Sequence, residues 1–332
     1  MNDQVKEIAC YSLLHGTISR DNALYLMQLD GEGVYDLYYW ANHIRLRHFG
    51  HSVKACSIIS AKQGLCTEDC SFCSQSTRHQ TGIEEFPLIG SPQILDAASR
   101  AEQAGSSSLG MVTSGHSIRN PQDLDRIGKA IERLSKNTHI QPHGSFGMLT
   151  KESAEILVKC GLKRINHNLE TSEAFFPKVC STHTYQERIN TIRVAKAAGL
   201  EICSGAIFGI GEGVEDRLDV AFALKTLEVD VVPLNFLHPI AGTPLEGSVP
   251  LTPMESLKII SVFRFVLPNK EIKIAGGREK NLRDLQSWMF YAGANSMMIG
   301  NYLTTKGRKV DDDLQMIKDL SLELQTEPGD NT

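Results

Sequence analysis

Eight short apolar runs, separated by amphipathic helical segments, are the feature that most limits how this chain can fold. The runs lie at 53–59, 107–112, 139–143, 163–168, 201–207, 230–236, 271–275 and 295–299. Helical periodicity occupies the intervals, for example over 92–104, 123–134, 152–160, 185–198, 216–227, 254–265 and 282–291. This alternation is typical of a parallel sheet covered by helices. Eight such units predict a closed α/β structure, a (β/α)8 barrel of TIM type, rather than an open doubly wound sheet.

The segments outside this alternation predict two additions to the barrel. Residues 1–50 have the apolar spacing of helices and predict an N-terminal helical extension. The barrel is expected over 51–310, since neither a repeat nor a Pro/Gly/Ser-rich linker interrupts it. Residues 311–332 predict a last helix followed by a polar tail, which we expect to be disordered over TEPGDNT.

Charge and composition argue against several classes of protein. The net charge of −5 disfavours binding to nucleic acid or to an anionic membrane surface. The apolar runs are all shorter than the roughly 18 residues that a membrane span needs. The N-terminal residues show no signal-peptide pattern, and the eight cysteines do not resemble a secreted disulfide framework. A reducing, cytoplasmic location is therefore expected.

Three cysteines, Cys66, Cys70 and Cys73, stand close together in the segment GLCTEDCSFCSQS. Their spacing, C-x3-C-x2-C, offers three thiolates, whereas protein sites usually hold a four-iron cubane cluster with four. One iron would then keep an open coordination position, which is typical of reactive metal sites. The segment follows the first apolar run, so it is expected at the C-terminal end of the barrel strands, where TIM-barrel active sites lie.

Two simpler interpretations of these cysteines, a zinc site and a redox pair, fit the sequence less well than a cluster. A zinc site would need a fourth ligand nearby, and His79 lies at an unusual spacing from the triplet. A redox C-x-x-C pair would leave Cys66 without a role. Elsewhere, Cys10 and Cys160 are expected to be structural, since a free cysteine often acts as a small buried hydrophobe. Three soft thiolates favour an iron–sulfur cluster.

The triplet, with the aromatic Phe72 before its last cysteine, resembles the signature of radical S-adenosylmethionine enzymes. The resemblance implies a [4Fe–4S] cluster whose open iron binds S-adenosylmethionine, and a 5′-deoxyadenosyl radical made from that cofactor. From about residue 35 to residue 305 the chain is similar to the biotin synthase family. The similar blocks are SIISAKQGLCTEDCSFCSQS, RINHNLETS, STHTYQERINTI, CSGAIFGIGE, VPLNFLHPIAGTPLEG, AGGREKNL and GANSMMIGNYLTT.

That family inserts sulfur between two unactivated carbons of dethiobiotin and consumes two cofactor molecules per product. The resemblance also implies a homodimer and a reducing partner such as flavodoxin or ferredoxin. The cofactor-binding positions that carry over are Phe72, Asn168, Glu170, Arg188, Ala206 and Ile207. Glu170 stands where the family has Asp. Asn166 and Asn235 match positions that bind the ureido ring of the substrate, for which a primary amide is a suitable complement.

The chain departs from the family at the auxiliary cluster that supplies the sulfur. In the familiar enzyme three cysteines and one arginine hold a [2Fe–2S] cluster. Here Cys203 and Arg278 match two of those positions, whereas Gly110 and His143 stand where the other two cysteines are expected. A site of the familiar kind therefore cannot form unchanged.

Other cysteines suggest a rearranged auxiliary cluster, similar to the [4Fe–5S] kind of a branch associated with anaerobes. Its predicted ligands are Cys56, Cys180, Cys203 and His143, with Arg278 as a further ligand or a nearby charge. Except for Cys180, which lies in a loop, these residues fall on odd-numbered predicted strands, whose side chains can share one interior layer.

Two other functions are also compatible with the sequence. Another small-barrel radical enzyme, such as a hydrogenase-cofactor maturase or an amino-acid mutase, would tolerate the loss of the auxiliary cysteines. A non-enzymatic iron–sulfur or zinc protein is the second alternative. The intact sequence blocks disfavour the first, and the polar residues at the predicted strand ends disfavour the second.

Overall fold

The computed structural model of the chain describes residues 2–325 and contains one closed parallel sheet. Its strands are β1 (Ser52–Lys62), β2 (Ser108–Thr113), β3 (Gln141–Ser145), β4 (Arg164–Asn166), β5 (Glu201–Cys203), β6 (Ala206–Phe208), β7 (Val231–Phe236), β8 (Glu271–Ile274), β9 (Ser296–Met298) and β10 (Glu323–Gln325). The strands follow the order β1-β2-β3-β4-β5-β7-β8-β9, with β6 paired to β7, and β9 pairs with β1 to close the sheet. The predicted (β/α)8 barrel is confirmed.

The fifth predicted run forms two short strands, β5 and β6, that together occupy one position in the barrel. Gly205 lies between them, and a Cβ added there would be only 1.8 Å from the carbonyl oxygen of Pro233. This close approach of two backbones interrupts regular pairing with β7.

Helices on the outside cover the barrel and bury the aliphatic faces of its strands, including Ile165, Ile202 and Ile272. The outer helices are α4 (Ser91–Gln103), α5 (Pro121–Asn137), α6 (Lys151–Lys159), α7 (Tyr185–Ala197), α8 (Val214–Thr226) and α9 (Pro253–Val266). Gly105 and Gly199, just beyond α4 and α7, have φ angles of 79° and 89°. Glycine adopts this left-handed conformation without strain, which confirms the predicted helix ends.

The helix predicted over 282–291 is replaced by shorter pieces. These are a 3-10 turn (Arg283–Leu285) and α11 (Trp288–Tyr291), and the short helix α10 (Arg278–Asn281) comes just before them. Arg283 has a positive φ of 49°, which breaks the helical path. The buried amide of Asn281 donates to the carbonyls of Leu237 and Gly277, so tertiary hydrogen bonds rather than periodicity decide this segment.

The N-terminal extension forms the three helices α1 (Asp3–His15), α2 (Arg20–Gln28) and α3 (Gly33–Phe49), as its apolar spacing predicts. It lies against α9, where the Ser12 hydroxyl donates to the Phe265 carbonyl at 2.7 Å and the Tyr38 hydroxyl to the Met254 carbonyl at 2.8 Å. Helix α9 is consequently buried between the extension and the sheet, which explains its apolar character on most faces.

The C-terminal segment contains the predicted last helix, α12 (Val310–Asp319), and also strand β10, which the sequence pattern did not indicate. β10 pairs with Ser52–Lys54 at the start of β1. The predicted tail TEPGDNT lies outside the described residues, and the proposed boundaries at residues 50 and 310 stay predictions. Within 2–325, the helices are all too short or too polar to cross a membrane.

Candidate active site

The three clustered cysteines lie on a hydrogen-bonded loop that leaves the C-terminal end of β1. Antiparallel pairing of Gln63 with Phe86 closes the loop. Within it, the Cys66 amide donates to the Gln75 carbonyl at 3.1 Å, and the Cys73 amide donates to the Cys70 carbonyl at 2.9 Å. All three cysteines line one cavity of about 240 Å³. The structure therefore brings the three predicted cluster ligands to one cavity at the end of the barrel where active sites are expected.

His79 cannot complete this set as a zinc ligand through its Nδ1. Its Nδ1 lies 2.8 Å from the carbonyl oxygen of Cys73, to which it donates a hydrogen bond. That nitrogen is used to stabilise the loop backbone, so the zinc alternative gains no fourth ligand from it.

Three of the predicted cofactor residues meet at the wall of the same cavity. The Asn168 side-chain amide donates to Glu170 Oε2 at 3.3 Å. Arg188 Nη1 donates to the Asn168 carbonyl at 2.9 Å and lies 3.7 Å from Glu170 Oε1. Burial raises the pKa of Glu170, while Arg188 acts in the opposite direction. A carboxylate, an amide and a guanidinium thus lie together beside the cysteine loop.

The other three predicted cofactor residues contribute in two ways. Phe72 and Ile207 line a second cavity of about 330 Å³. Ala206 is fully buried and is not among the residues lining either cavity. Its carbonyl accepts a hydrogen bond from Asn235 at 3.2 Å. We therefore place Ala206 behind the cavity wall, where its backbone positions neighbouring residues.

The second cavity leads from the cysteine loop into the barrel. It shares part of its wall with the first cavity, and the shared residues include Phe72, Cys73, Asn166, Asn168 and Glu170. Its inner wall includes Cys56, His143 and Cys203. The two cavities therefore adjoin, and together they connect two groups of thiols.

The two predicted substrate asparagines differ in their hydrogen bonding. Asn166 has a buried Oδ1 that accepts no hydrogen bond from any residue in 2–325. Asn235 is already engaged on both sides, since it donates to the Ala206 carbonyl and accepts from the Gly276 amide at 3.0 Å. Both line the larger cavity, but only the Asn166 amide presents an unused acceptor there.

The inner wall of the larger cavity combines two thiols with an imidazole. His143 Nε2 is buried without a hydrogen-bond partner among the described residues. Burial, followed by nearby Arg164 and Lys273, holds the pKa of His143 well below its usual range, so the ring is neutral. A neutral imidazole beside Cys56 and Cys203 is a donor set that suits an iron–sulfur cluster.

Gly110, which replaces an expected cysteine, leaves room for the residues around it. A Cβ added at this position would lie 3.1 Å from Ile58 Cγ2 and 3.3 Å from Asn166 Nδ2. A cysteine here would press against the amide of Asn166, so the absence of that ligand and the placement of Asn166 are linked.

Cys180 does not join the inner set, which corrects the expectation that it reaches into the barrel. It is absent from the lining of the larger cavity. Its sulfur instead lies with Cys70 Sγ and a nitrogen of His183 in a group whose ligating atoms are within 4.8 Å of one another. The Asp69 carboxylate accepts from the Ser181 amide at 2.9 Å and so ties this segment to the cysteine loop.

Arg278 is also placed differently from the prediction. Its side chain is 0% exposed, forms an ion pair with Asp313 of α12 and is not among the cavity-lining residues. Lys273 of β8 is instead the cation that lines the larger cavity. Burial would lower the pKa of Lys273, but Cys56, Cys203 and Glu271 together outweigh it and raise that pKa. A lysine inside the apolar run EIKIA was the sequence signal for this residue.

A further group that sequence analysis missed connects the cysteine loop to the cofactor residues. Glu68 Oε2 lies 2.6 Å from His183 Nδ1, and Glu68 Oε1 lies 3.4 Å from His116 Nδ1. Arg188 Nε donates to His183 Nε2 at 3.1 Å, which assigns the imidazole proton to Nδ1 and makes Glu68 its acceptor. The sequence alone offered no pattern that joins Glu68 to a histidine so distant along the chain.

Two family models match consecutive parts of the chain. The Radical SAM superfamily model matches residues 62–224, and the Biotin and Thiamin Synthesis associated domain matches residues 233–323. The biotin synthase of Geotalea daltonii is 50% identical over 309 residues, which cover 93% of this chain and 94% of that protein. The biotin synthase of Geobacter sulfurreducens is 48% identical over 309 residues, with the same coverage of 93% and 94%.

Solved structures show the same fold at lower sequence similarity. Methylornithine synthase has a TM-score of 0.84 at 20% identity, covering 96% of this chain and 97% of its own. The [FeFe]-hydrogenase maturase HydG has a TM-score of 0.84 at 15% identity, covering 98% and 76%. At such identities the likeness concerns the fold alone, so it does not favour the maturase or mutase alternative. On the strength of its close full-length relatives, the chain belongs to the biotin synthase family, the sulfurtransferases of the radical S-adenosylmethionine superfamily.

Proposed function

We propose that this chain makes biotin by inserting sulfur into dethiobiotin within the pair of adjoining cavities. Cys66, Cys70 and Cys73 would hold the [4Fe–4S] cluster at one end. S-adenosylmethionine, when bound and reduced there, supplies the 5′-deoxyadenosyl radicals that break the substrate C–H bonds. The observation that carries the proposal is the pair of adjoining cavities. Three thiols line the first cavity, and two more line the second cavity in the barrel interior.

We assign the binding of S-adenosylmethionine to the polar group beside the cysteine loop. The buried Glu170 carboxylate and the Asn168 amide suit the ribose hydroxyls, which can both donate and accept hydrogen bonds. Arg188 supplies the positive charge that a cofactor carboxylate needs. Phe72 and Ile207 form an apolar wall for the adenine and help to exclude water from the reacting atoms.

Asn166 is the residue we assign to recognition of the ureido ring. Its unused, buried Oδ1 can accept a hydrogen bond from a ureido N–H, which offsets the desolvation of both groups. Asn235 has a positioning role in this proposal, because its amide already links Ala206 to Gly276 across the cavity wall.

The inner residues Cys56, Cys203 and His143 would hold an auxiliary cluster that serves as the sulfur source, with Lys273 offsetting its negative charge. Loss of the expected thiol at Gly110 supports a cluster unlike the familiar [2Fe–2S] kind, and we retain the [4Fe–5S] type as the proposal. A flavodoxin- or ferredoxin-like electron donor, a homodimer and a cytoplasmic location are further proposals that depend on family membership.

The test combines metal analysis with product analysis on anaerobically reconstituted protein. We expect well over four irons per chain, together with biotin and 5′-deoxyadenosine from dethiobiotin and S-adenosylmethionine. About four irons, the content of one cubane cluster, would refute the auxiliary site. Cofactor cleavage without any biotin would favour another radical enzyme, and no cleavage at all would favour a non-enzymatic protein.

A further inference from the structure

Cys180 has no role in sulfur insertion as proposed above, yet it lies opposite one of the three clustered cysteines. Cys70 Sγ and Cys180 Sγ belong to a group of ligating atoms that are all within 4.8 Å of one another. The Ser71 amide donates to the Val179 carbonyl at 2.9 Å. This hydrogen bond joins the residue after Cys70 to the residue before Cys180, so the two cysteines face each other across neighbouring backbone segments.

The sulfur of Cys180 is held in this position from several sides. It lies 3.1 Å from Asp69 Oδ1, 3.4 Å from Thr182 Oγ1 and 3.3 Å from His183 Nδ1. Asp69 also accepts hydrogen bonds from the Ser181 amide, which fixes the Cys180 segment to the cysteine loop. Because the two sulfurs lie within 4.8 Å of each other, they need to approach by less than about 3 Å to reach the roughly 2 Å of a disulfide bond.

We propose that Cys70 and Cys180 form a reversible disulfide when a peroxide removes the cluster from the loop. One freed thiol attacks hydrogen peroxide, becomes a sulfenic acid and releases one water molecule. The second thiol then displaces the hydroxyl group as another water molecule, and the S–S bond forms. In total, two thiols lose two electrons and two protons, and one peroxide becomes two waters.

The bond would have a protective consequence for the enzyme. Disulfide formation halts cysteine oxidation at an early step, and a thiol reductant restores the two thiols. Sulfinic and sulfonic acids are not restored in this way. While the bond persists, Cys70 cannot bind iron. This consequence for cluster loading, though not the bond itself, depends on the proposed role of Cys70 as a cluster ligand.

The experiment treats the full-length, cluster-loaded enzyme with hydrogen peroxide and identifies linked peptides by mass spectrometry without reduction. We expect Cys70–Cys180 to be the main linkage and a dithiol to remove it. Cys180→Ser should abolish the linkage, while Cys160→Ser, a change on the outer surface of the barrel, should leave it intact. After peroxide treatment, the native chain should take up iron only once the dithiol has been added. Iron uptake by Cys180→Ser should depend on the dithiol several-fold less.

Several results would overturn the inference. Linkages confined to Cys66, Cys70 and Cys73, or oxidation of Cys180 to sulfonic acid without any linkage, would show that the pair does not react. Equal iron uptake by oxidised and dithiol-treated native enzyme would show that no reversible block exists. Failure of enzyme that has not been exposed to peroxide to take up iron would instead contradict the proposed function. Peptide identification would still decide whether the Cys70–Cys180 bond forms.

Discussion

The two ends of the site obtain their thiols in opposite ways. At the cysteine loop, three thiols come from one short segment whose own backbone hydrogen bonds hold it. In the barrel interior, Cys56 and Cys203 come from strands β1 and β5, which are not neighbours in the sheet. A local spacing specifies the first arrangement, while the second exists only after the barrel has closed.

The interior set therefore depends on strand register. Cys203 is aligned with Asn166 on β4, and Cys56 with Met298 on β9, the strand that closes the barrel. Successive residues of a strand point to opposite faces, so a shift of one residue would turn a thiol from the cavity to the helices. Damage to the loop and damage to the interior should consequently affect function differently.

The largest expected effect is loss of the loop ligands. Cys66→Ala, Cys70→Ala or Cys73→Ala should reduce both biotin and 5′-deoxyadenosine to background, because cofactor cleavage needs the loop cluster. Product analysis with anaerobically loaded protein gives the measurement, and Cys160→Ala is the matched control. Continued cofactor cleavage in any of the three variants would break the distinction between loop and interior.

The second-largest expected effect is the loss of biotin formation without the loss of cofactor cleavage. Cys203→Ala or His143→Ala should abolish biotin formation while 5′-deoxyadenosine is still released, because only the interior donor set is damaged. Iron content should fall by the share that belongs to the auxiliary cluster. If both products disappeared while the loop cluster remained visible in the absorption spectrum, the two ends would not act separately.

The same contrast explains how much the sequence could predict. Periodicity predicted the closed barrel and the helices that end near residues 104 and 198, since such elements depend on neighbouring residues. The placement of Arg278 was not predictable in this way. Gly277, with a φ of 79°, turns the chain just before it, and Arg278 then meets Asp313 of a helix that lies after the barrel. Such contacts depend on tertiary packing, which local patterns do not encode.

The placement of Arg278 can be tested by itself, because neither Arg278 nor Asp313 lines the larger cavity in the barrel interior. Arg278→Met should lower the free energy of unfolding by about 3–5 kcal/mol, since it leaves the buried Asp313 carboxylate without its main partner. Chemical denaturation of the cluster-loaded protein measures this change.

The double variant Arg278→Met/Asp313→Leu is the control for the lost pair. It should recover much of the stability, because a buried ion pair can often be replaced by apolar side chains at little cost. Iron content should stay at the native level in both variants. Selective loss of auxiliary iron in Arg278→Met would restore Arg278 as a ligand and contradict the assignment of Lys273.

The smallest expected effect separates the two asparagines of the cavity wall. Asn166→Ala should weaken dethiobiotin binding by about 1–3 kcal/mol, or about 5- to 150-fold in Kd, because the ureido N–H loses its acceptor. The melting temperature should hardly change, since Asn166 Oδ1 accepts no hydrogen bond from residues 2–325. Asn235→Ala should hardly change the affinity for dethiobiotin. It should lower the melting temperature, because it leaves the Gly276 amide and the Ala206 carbonyl unpaired. Calorimetric titration and thermal unfolding of both variants decide between recognition and positioning, and equal losses of affinity would assign both amides to the substrate.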